Sequence, residues 1–333
     1  MQRRTLILSA ASFGLLSAGL TFGQARPRQI RIGLLVGDLM PRHEEDALLA
    51  GLREQGLLEG RNLVIERRQA NGVLTQVPGF AREFAQLKLD AVISTCSATT
   101  ALAKQAIGGG PDATPIVMVA VADPVGQQFI ASLARPGANV TGLASQGEDA
   151  LPKMLSLFAS VLPPKAKVAV LLDASSKVHP KLWQELEPLA ARLNLSLVQV
   201  QAGRRPGQPS LVDAFDNAKR QEVDGIFVLP DEPFFFAQRA EIVAQAERHR
   251  LPAFYGVREF VDAGGLMSYG ESLVTAHRAV GTYVARIAAG AKPADLPVAR
   301  PTVFELVLNQ KTARTLGLTI PRQVLLSADA VVE

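Results

Sequence analysis

Short apolar segments alternate with longer amphipathic segments along most of the chain. Candidate strands, rich in β-branched and aliphatic residues, are Ile30–Val36, Asn62–Arg67, Ala91–Thr95, Ile116–Val121, Val168–Leu172, Ser196–Gln201, Gly225–Leu229 and Pro252–Tyr255. Candidate helices, with apolar residues at helical spacing, are Glu44–Gln55, Phe80–Leu87, Thr100–Ile107, Leu182–Leu193, Ala237–Arg248 and Thr275–Ala288. Because the strands are apolar on both faces, the pattern predicts parallel sheets covered by helices, in two doubly wound α/β lobes.

Three extended stretches indicate where the chain crosses from one lobe to the other. Val140–Ala144 follows the turn cluster Arg135–Asn139 and precedes no predicted helix. Leu266–Tyr269 leads into a long helix, and Val303–Leu308 lies beyond that helix. Three crossings would build each lobe from discontinuous sequence, and two lobes in simple tandem are the alternative. The expected division is a signal at 1–25, a first (N-terminal) lobe at 28–143 plus 266–296, and a second (C-terminal) lobe at 144–265 plus 301–333.

The N-terminal segment has the features of an export signal. Arg3 and Arg4 supply positive charge, and the apolar stretch Leu6–Leu20 is shorter than the roughly 20 residues of a membrane-spanning helix. Ala25 offers a small side chain for cleavage, and the paired arginines leave the twin-arginine route open. The alternative is an ordinary first helix of a cytoplasmic protein. With no cysteine near the cut, we expect a soluble periplasmic protein without a lipid anchor.

Composition and charge exclude several classes of protein. The chain has 333 residues, of which 48% are hydrophobic and 20% charged, as in a folded globular protein. The net charge of +4 falls to +2 when Arg3 and Arg4 are removed with the signal, so no nucleic-acid partner is expected. Cys96 is the one cysteine, which excludes an intrachain disulfide and a cysteine-rich zinc site.

Catalytic motifs are lacking in the sequence. The nearest approach to a GxSxG elbow, Leu143–Gly147, lacks its first glycine, and Gly137–Gly142 has phosphate-loop spacing without the following lysine. The four histidines have no second ligand or acid at metal spacing in the sequence, so surface or capping roles are expected. We therefore expect no catalysis, no metal and no cofactor.

The loops after the predicted strands are the candidate ligand site, because ligands bind beyond the carboxyl ends of the strands in open α/β sheets. In the first lobe, Asp38 and Asp123 follow strands, and Thr95–Thr99 is rich in hydroxyl groups directly before a helix. The free N–H groups of that helix can hold a carboxylate. Plain capping is the alternative for Ser97 and Thr99. Asp123 either accepts from a ligand ammonium group or starts the next helix.

Cys96 lies between a strand and a helix, where the helix N-terminus favours a thiolate. No histidine is near it in sequence, so we expect a small unreactive residue at the edge of the cleft.

In the second lobe the corresponding loops are Asp173–Ser176 and Pro230–Phe236, and Tyr255 and Tyr269 lie at comparable edges. Three phenylalanines stand in a row at Phe234–Phe236. Consecutive residues cannot all face one core, so at least one should face the cleft, unless all pack beneath the seam between the lobes. Such a cleft suits an amino acid or a similar zwitterion. The candidate ligand-binding residues are Asp38, Cys96, Ser97, Thr99, Asp123, Asp173, Ser175, Asp231, Phe234, Tyr255 and Tyr269.

Several short motifs along the mature chain carry a family resemblance. They are Leu48–Gly56, Glu59–Leu63, Ile65–Glu66, Lys104–Ala106, Pro115–Val119, Asp123–Gly126, Ser132–Gly137, Asn139–Gly142, Gly290–Pro297, Phe304–Asn309, Lys311–Ala313 and Leu316–Leu318. Together with the N-terminal signal, the sequence resembles the exported substrate-binding components of bacterial ABC transporters. The similarity is to the subgroup related to aromatic-amino-acid-binding proteins.

This resemblance implies an α/β type I periplasmic-binding-protein fold, with two Rossmann-like doubly wound lobes, three crossovers and a ligand between the lobes. It also implies delivery of a small molecule to an ABC permease in the inner membrane, with no reaction catalysed. Family members commonly carry a glycine-rich loop where this chain has Thr95–Thr100, and many carry an Asn-Pro-rich loop at Asp173–Lys177. The ligand therefore stays open, with aromatic or branched amino acids expected.

The leading hypothesis is a monomeric solute-binding protein that closes by hinge motion around one small ligand. An enzyme acting on a small acid is the first alternative, and it needs a nucleophile and base that the sequence does not show. A ligand-sensing transcription factor would need a DNA-binding helix pair, which residues 1–29 cannot supply. A periplasmic sensor coupled to a receptor stays open.

Overall fold

The computed structural model describes residues 28–110, 113–176, 178–203, 207–230 and 233–333. The predicted export signal and the predicted site residue Asp231 lie outside the described residues. The strands are β1 (Ile30–Val36), β2 (Leu63–Gln69), β3 (Ala91–Ser94), β4 (Ile116–Val121), β5 (Val140–Ala144), β6 (Lys167–Asp173), β7 (Ser196–Ala202), β8 (Gly225–Val228), β9 (Ala253–Tyr255), β10 (Met267–Glu271), β11 (Phe304–Asn309) and β12 (Ala330–Val332). The helices are α1 (Arg42–Glu54), α2 (Val77–Gln86), α3 (Ser97–Ile107), α4 (Gly147–Ala159), α5 (His179–Arg192), α6 (Leu211–Arg220), α7 (Pro233–Ala237), α8 (Arg239–Arg248), α9 (Arg258–Asp262), α10 (Leu273–Ala288), α11 (Gln310–Thr315) and α12 (Arg322–Leu326).

The sheet of the first lobe has the order β2-β1-β3-β4-β5, and all its neighbouring strands are parallel. Almost every residue of β1 is buried, because apolar clusters cover both faces of the sheet. Leu48 and Val280 belong to the cluster on one face, and Phe84 and Ala103 to the cluster on the other. The strand order reverses between β1 and β3, so a crevice opens beyond their carboxyl ends.

The sheet of the second lobe has the order β12-β11-β10-β9-β8-β6-β7. Its order reverses between β6 and β8, which again opens a crevice at the carboxyl ends. Separate clusters cover its two faces, one containing Phe158 and Leu182 and the other containing Phe215 and Ile242. Both sheets thus present a switch point. The cavity described below lies beyond the switch point of the first sheet and, on the second sheet, beyond the ends of β8 and β9.

Two details of the predicted organisation are wrong. The sequence predicts a return to the first lobe from residue 266, but β10 lies in the second sheet, where Met267 pairs with Phe254 and with Leu308. The second sheet also departs from the predicted parallel arrangement at one pair, because β10 and β11 are antiparallel. A short apolar strand has the same local pattern in a crossover and in a sheet, and only its pairing distinguishes the two.

The chain passes between the lobes three times. The first crossing follows Ala144, at the end of β5, and the second follows Glu271, at the end of β10. Before the third crossing, Ala299 bridges to Leu143 and donates its backbone N–H to the Gly142 carbonyl at 3.0 Å. The segments of the first and third crossings are therefore neighbours in the first lobe.

Helices α1 and α10 pack against each other backbone to backbone. A Cβ atom on Gly281 would lie 2.2 Å from the Gly51 carbonyl oxygen, and one on Gly51 would lie 1.9 Å from the Arg278 carbonyl oxygen. These approaches are shorter than any normal contact, so glycine is required at both positions. The packing fastens α10, which arrives from the second sheet, to the first lobe.

We predict that Gly281→Ala lowers the free energy of unfolding by about 2 kcal/mol, because overpacking outweighs the gain in helix propensity. Gly79→Ala in α2 is the matched control, since no heavy atom lies within 4 Å of a Cβ at Gly79. The control should be neutral or stabilising by up to about 1 kcal/mol. Urea unfolding followed by circular dichroism measures both. Equal effects of the two substitutions would contradict the close-packing argument.

Candidate functional site

A cavity of about 460 Å³ lies between the two lobes, beyond the carboxyl ends of strands from both sheets. Its size is within the range of small-molecule sites, roughly 300–1,000 Å³. The first lobe lines it with residues that follow β1, β2, β3 and β4 and begin α1 and α10: Val36–Pro41, Glu44, Asn71, Gly72, Leu74, Thr95–Ser97, Ala120, Ala122, Leu273 and His277. The second lobe contributes residues at the ends of β8, β9 and β10: Val228–Pro230, Phe234–Gln238, Gly256, Val257, Phe260 and Glu271.

Four of the predicted site residues line this cavity: Asp38, Cys96, Ser97 and Phe234. The structure brings them together from the ends of β1, β3 and β8. Ser97 lies in the first turn of α3, where its Oγ accepts a hydrogen bond from the Ala122 N–H at 3.3 Å. The hydroxyl is thereby fixed at the N-terminus of α3, facing the cavity.

Thr99 is completely buried and does not line the cavity. Its Oγ1 accepts a hydrogen bond from the Cys96 N–H at 3.2 Å and lies 2.7 Å from the Ser94 hydroxyl. Thr99 therefore has the capping role, which was the alternative to ligand binding in the sequence analysis. Cys96 Sγ lies 3.4 Å from the same Oγ1 atom.

Tyr255 and Asp123 also lie away from the cavity wall. The Tyr255 ring is fully buried and stacks on Phe260 with ring centroids 4.7 Å apart, so burial raises the pKa of its hydroxyl. Asp123 is exposed, and its Oδ1 accepts from the Gly126 N–H at 2.8 Å, which closes a turn. Strand ends face the crevice, but the side chain of Tyr255 points into the core of its own lobe.

The remaining predicted residues of the second lobe are not at the cavity. Asp173 is buried at the end of β6, and its Oδ1 accepts from the Ser175 N–H at 2.7 Å. Tyr269 packs against the core and stacks on Phe304 at 5.9 Å between centroids. The cavity is walled by the ends of β8 and β9 instead of β6, and sequence pattern alone does not distinguish these ends.

All three consecutive phenylalanines line the cavity. They form the single turn of α7, and Phe235 is also anchored in the core, where it stacks on His179 at 5.7 Å between centroids. Phe236 lies beneath the guanidinium of Arg239, with 4.7 Å from Cζ to the ring centroid. The second lobe thus supplies an aromatic wall that is fixed from behind.

An ion pair between the lobes joins Asp38 and Arg239. Arg239 Nη1 donates to Asp38 Oδ2 at 3.2 Å and to the Phe236 carbonyl at 2.8 Å. Arg239 was not among the predicted site residues, because 201 positions separate it from Asp38 and neither position reveals the other. The pair exists only where the lobes approach each other, and it is partly shielded from water.

A second group of polar residues spans the seam between the lobes. Glu44 and His277 of the first lobe are buried, with 3.4 Å between Glu44 Oε2 and His277 Nδ1. Across the seam, Glu259 of the second lobe is also buried, and its Oε1 lies 3.9 Å from Nε2 of His43. Burial, with the neighbouring Glu259 carboxylate, raises the pKa of Glu44 to about 9. Burial lowers the pKa of His277 to about 4.

The burial of His179 and His277 corrects the expectation that the histidines have only surface or capping roles, whereas His43 is exposed, as expected. Ligating atoms of His43, Glu44 and Glu259 all lie within 4.8 Å of one another. The sequence places two of these residues side by side but leaves Glu259 more than two hundred positions away. No local spacing therefore signals the group.

Comparison with known proteins decides the family. Residues 39–332 of this chain match the protein family described as "ABC transporter substrate binding protein". The chain belongs to this family. The resemblance predicted from the sequence is therefore confirmed.

Relatives of this substrate-binding protein include a tyrosine-binding protein of Clostridioides difficile, 23% identical over 296 residues, covering 88% of this chain and 82% of that one. Among solved structures, an ABC domain in complex with L-Trp from Streptococcus pneumonia has a TM-score of 0.79 at 24% identity. A conserved domain protein from Vibrio cholerae has a TM-score of 0.78 at 25% identity. Each of these two comparisons covers 91% of this chain and 100% of the other. They confirm the predicted fold, with two doubly wound lobes and three crossovers.

None of the helices within the described ranges combines the length and the apolar character needed to cross a membrane.

Burial also makes the stability of this substrate-binding protein depend on pH through His179. Its Nδ1 accepts the Asp173 backbone N–H at 2.8 Å, and burial lowers its pKa to about 4 from an ordinary value of 6.5. The unfolded chain therefore binds the proton first as the pH falls. The contribution of neutral, buried His179 to the free energy of unfolding is complete above about pH 6.5. It decreases between about pH 6.5 and 4, and is lost below that range.

We predict that His179→Asn, whose side-chain oxygen can still accept the Asp173 N–H, reduces the loss of stability on acidification. When the pH is lowered from about 7 to 4, the free energy of unfolding of the parent protein should fall by on the order of 3 kcal/mol more than that of the variant. Urea unfolding at several pH values measures the difference. Parallel stability curves for the two proteins would show that His179 is not buried in its neutral form.

Proposed function

We propose that this substrate-binding protein holds an amino acid with an aromatic or branched apolar side chain in the cavity and releases it unaltered to an ABC permease. The observation that carries the proposal is the pairing of an anion-binding helix end with a phenylalanine wall across one interlobe cavity. The names of two relatives, which refer to tyrosine and to L-Trp, agree with this chemistry.

The first lobe supplies the polar end of the proposed site. The first backbone N–H groups of α3 have no acceptor within the helix and attract an anion. Ser97 adds a fixed hydroxyl at the same point. In the proposed site, the ligand carboxylate binds at this N-terminus of α3.

Carboxylates on the cavity wall complement a ligand ammonium group. Asp38 and Glu271 line the cavity from different segments of the chain. Asp38 also holds Arg239, so it can accept from a ligand and from the opposite lobe together. This arrangement favours a zwitterion over a simple organic acid.

The aromatic wall of the second lobe supplies the apolar end. Phe234 and Phe236 line the cavity, together with Leu229 of the same lobe and Leu39 and Met40 of the first lobe. Rings and flexible thioethers pack well against aromatic or branched side chains.

We also propose that the protein binds without catalysis. Among the described residues, Cys96 Sγ contacts Thr99 Oγ1 and Ser97 Oγ accepts from the Ala122 N–H. Neither residue forms a hydrogen bond to a histidine or a carboxylate within the described ranges, so neither nucleophile has a base. The cavity contents are therefore held and not converted.

The expected location and partner follow from the same proposal. Residues 1–25 are proposed to direct export and to be removed, leaving a monomer in the periplasm that docks on its permease. Support comes from the charged and apolar pattern of Arg3–Leu20 and from family membership. Cell fractionation with an antibody and size-exclusion chromatography examine both points.

We predict that L-tryptophan, L-tyrosine, L-phenylalanine or L-leucine raises the melting temperature of the mature protein, whereas L-aspartate and L-lysine do not. Calorimetric titration should show that Phe236→Ala weakens binding by at least about tenfold, on the order of 1.4 kcal/mol. Phe304→Ala is the control, because Phe304 stacks on Tyr269 away from the cavity. Ser97→Ala should also weaken binding, and Ser132→Ala, which alters an exposed turn, should not.

This proposal is abandoned if none of these amino acids stabilises the protein, or if Phe304→Ala reduces affinity as much as Phe236→Ala.

We predict further that Arg239→Gln weakens ligand binding several-fold, because it removes an ion pair that exists only between the approached lobes. Arg278→Gln removes an exposed pair with Glu54 inside the first lobe and serves as the control. Titration calorimetry gives the affinities, and small-angle scattering gives the compaction on ligand binding. Unchanged affinity in Arg239→Gln would show that closure does not depend on this contact.

A further inference from the structure

The seam between the lobes holds metal-ligating side chains from both of them. His43 and Glu44 lie at the start of α1 in the first lobe, and Glu259 lies on α9 in the second lobe. One ligating atom of each lies within 4.8 Å of the other two. The group adjoins the cavity, which Glu44 lines, but His43 and Glu259 are outside the cavity wall.

Both carboxyl groups are buried, and each has one oxygen without a partner. Glu44 is 4% exposed and Glu259 is 6% exposed. Glu44 Oε1 and Glu259 Oε2 are buried and have no hydrogen-bond partner among the described residues. Buried carboxyl oxygens in folded proteins normally have partners, so these two atoms are free to accept a further ligand.

The nearest arginines already have other partners. Arg239 pairs with Asp38 at 3.2 Å, and Arg258 pairs with Asp262 at 3.3 Å. Within the described ranges, no lysine or arginine forms an ion pair with Glu44 or Glu259. An added metal ion therefore has no lysine or arginine to displace from either carboxyl group.

We propose that His43, Glu44 and Glu259 bind one divalent transition-metal ion, with zinc as the matching probe, at the seam between the lobes. Imidazole nitrogens and carboxylate oxygens are both zinc ligands, with bonds of about 2.0–2.2 Å. Around tetrahedral zinc such atoms lie about 3.3 Å apart, so the ligands need to move closer by a small rotation. The His43 side chain is 46% exposed and free to make that rotation.

The neighbours of the group suit a metal ligand set. Nδ1–H of buried His277 donates to the Leu273 carbonyl at 2.8 Å, and the same nitrogen lies 3.4 Å from Glu44 Oε2, so the fixed ring packs against the carboxyl group from behind. Supporting contacts of this kind fix ligand orientation at metal sites. Exposure of His43 leaves the fourth position accessible to water.

Because its ligands come from both lobes, the site is complete only when the lobes approach each other. An ion that binds the approached state better than the open state shifts the population toward closure. The metal would thus be a second contact that holds the lobes together, besides the ligand in the cavity.

The test uses the untagged mature protein, treated with EDTA and freed of chelator, titrated with ZnCl₂ in a calorimeter. We expect one zinc ion per chain and no heat with MgCl₂, because magnesium prefers oxygen ligands in octahedral geometry. His43→Gln and Glu259→Gln should each weaken zinc binding at least about tenfold. His249→Gln is the matched control, since His249 Nε2 lies 3.4 Å from Asp216 in a pair that belongs to the second lobe alone.

Small-angle scattering provides the second readout. Zinc should reduce the radius of gyration of the ligand-free protein and leave that of Glu259→Gln unchanged. His43 is half exposed, so its variant should fold, and circular dichroism verifies this. The proposal is overturned by absence of zinc binding, by binding that His43→Gln and Glu259→Gln leave intact, by equal loss in His249→Gln, or by zinc binding without compaction.

Discussion

The close packing of α10 on α1 determines the arrangement of the whole molecule. Helix α10 leaves the second sheet after Glu271, and the glycine pair Gly51 and Gly281 lets its backbone rest on a helix of the first lobe. The same contact sets the starts of both helices beside the cavity, which brings Glu44 and His277 to 3.4 Å. The helices can pack this closely only because Gly51 and Gly281 have no Cβ atoms. This one contact therefore fixes both the connection between the lobes and the polar residues at their seam.

The two lobes contribute unlike halves to the cavity. The first offers a helix N-terminus with a fixed hydroxyl at Ser97, and the second offers rings fastened from behind by stacking, as with Phe235 on His179. Either half alone is open to water, where polar contacts are weak. The pair between Asp38 and Arg239 joins the same two lobes, so in the proposed function ligand binding and the approach of the lobes are coupled.

Local pattern predicts much of the fold but only part of the site. Strands β1 and β4 have the predicted ends, because both are mostly apolar runs, one stopped by Gly37 and the other started after Pro115. Helix α4, which contains Pro152, was not predicted, and β10 was assigned to the wrong lobe because pairing is not a local property. The same division holds at the site: Ser97 follows from a strand end before a helix, whereas the pairing of Glu44 with Glu259 depends on tertiary structure alone.

The interleaved connectivity also has a consequence for biosynthesis. The first lobe lacks α10 and the bridge at Ala299 until nearly the whole chain has left the ribosome. Until then the apolar stripe of α1 that includes Leu48 has no cover, while the strands from β6 to β10 have already emerged. The first lobe is thus among the last parts of the polypeptide to complete its tertiary structure, and its apolar surface stays exposed in the interval.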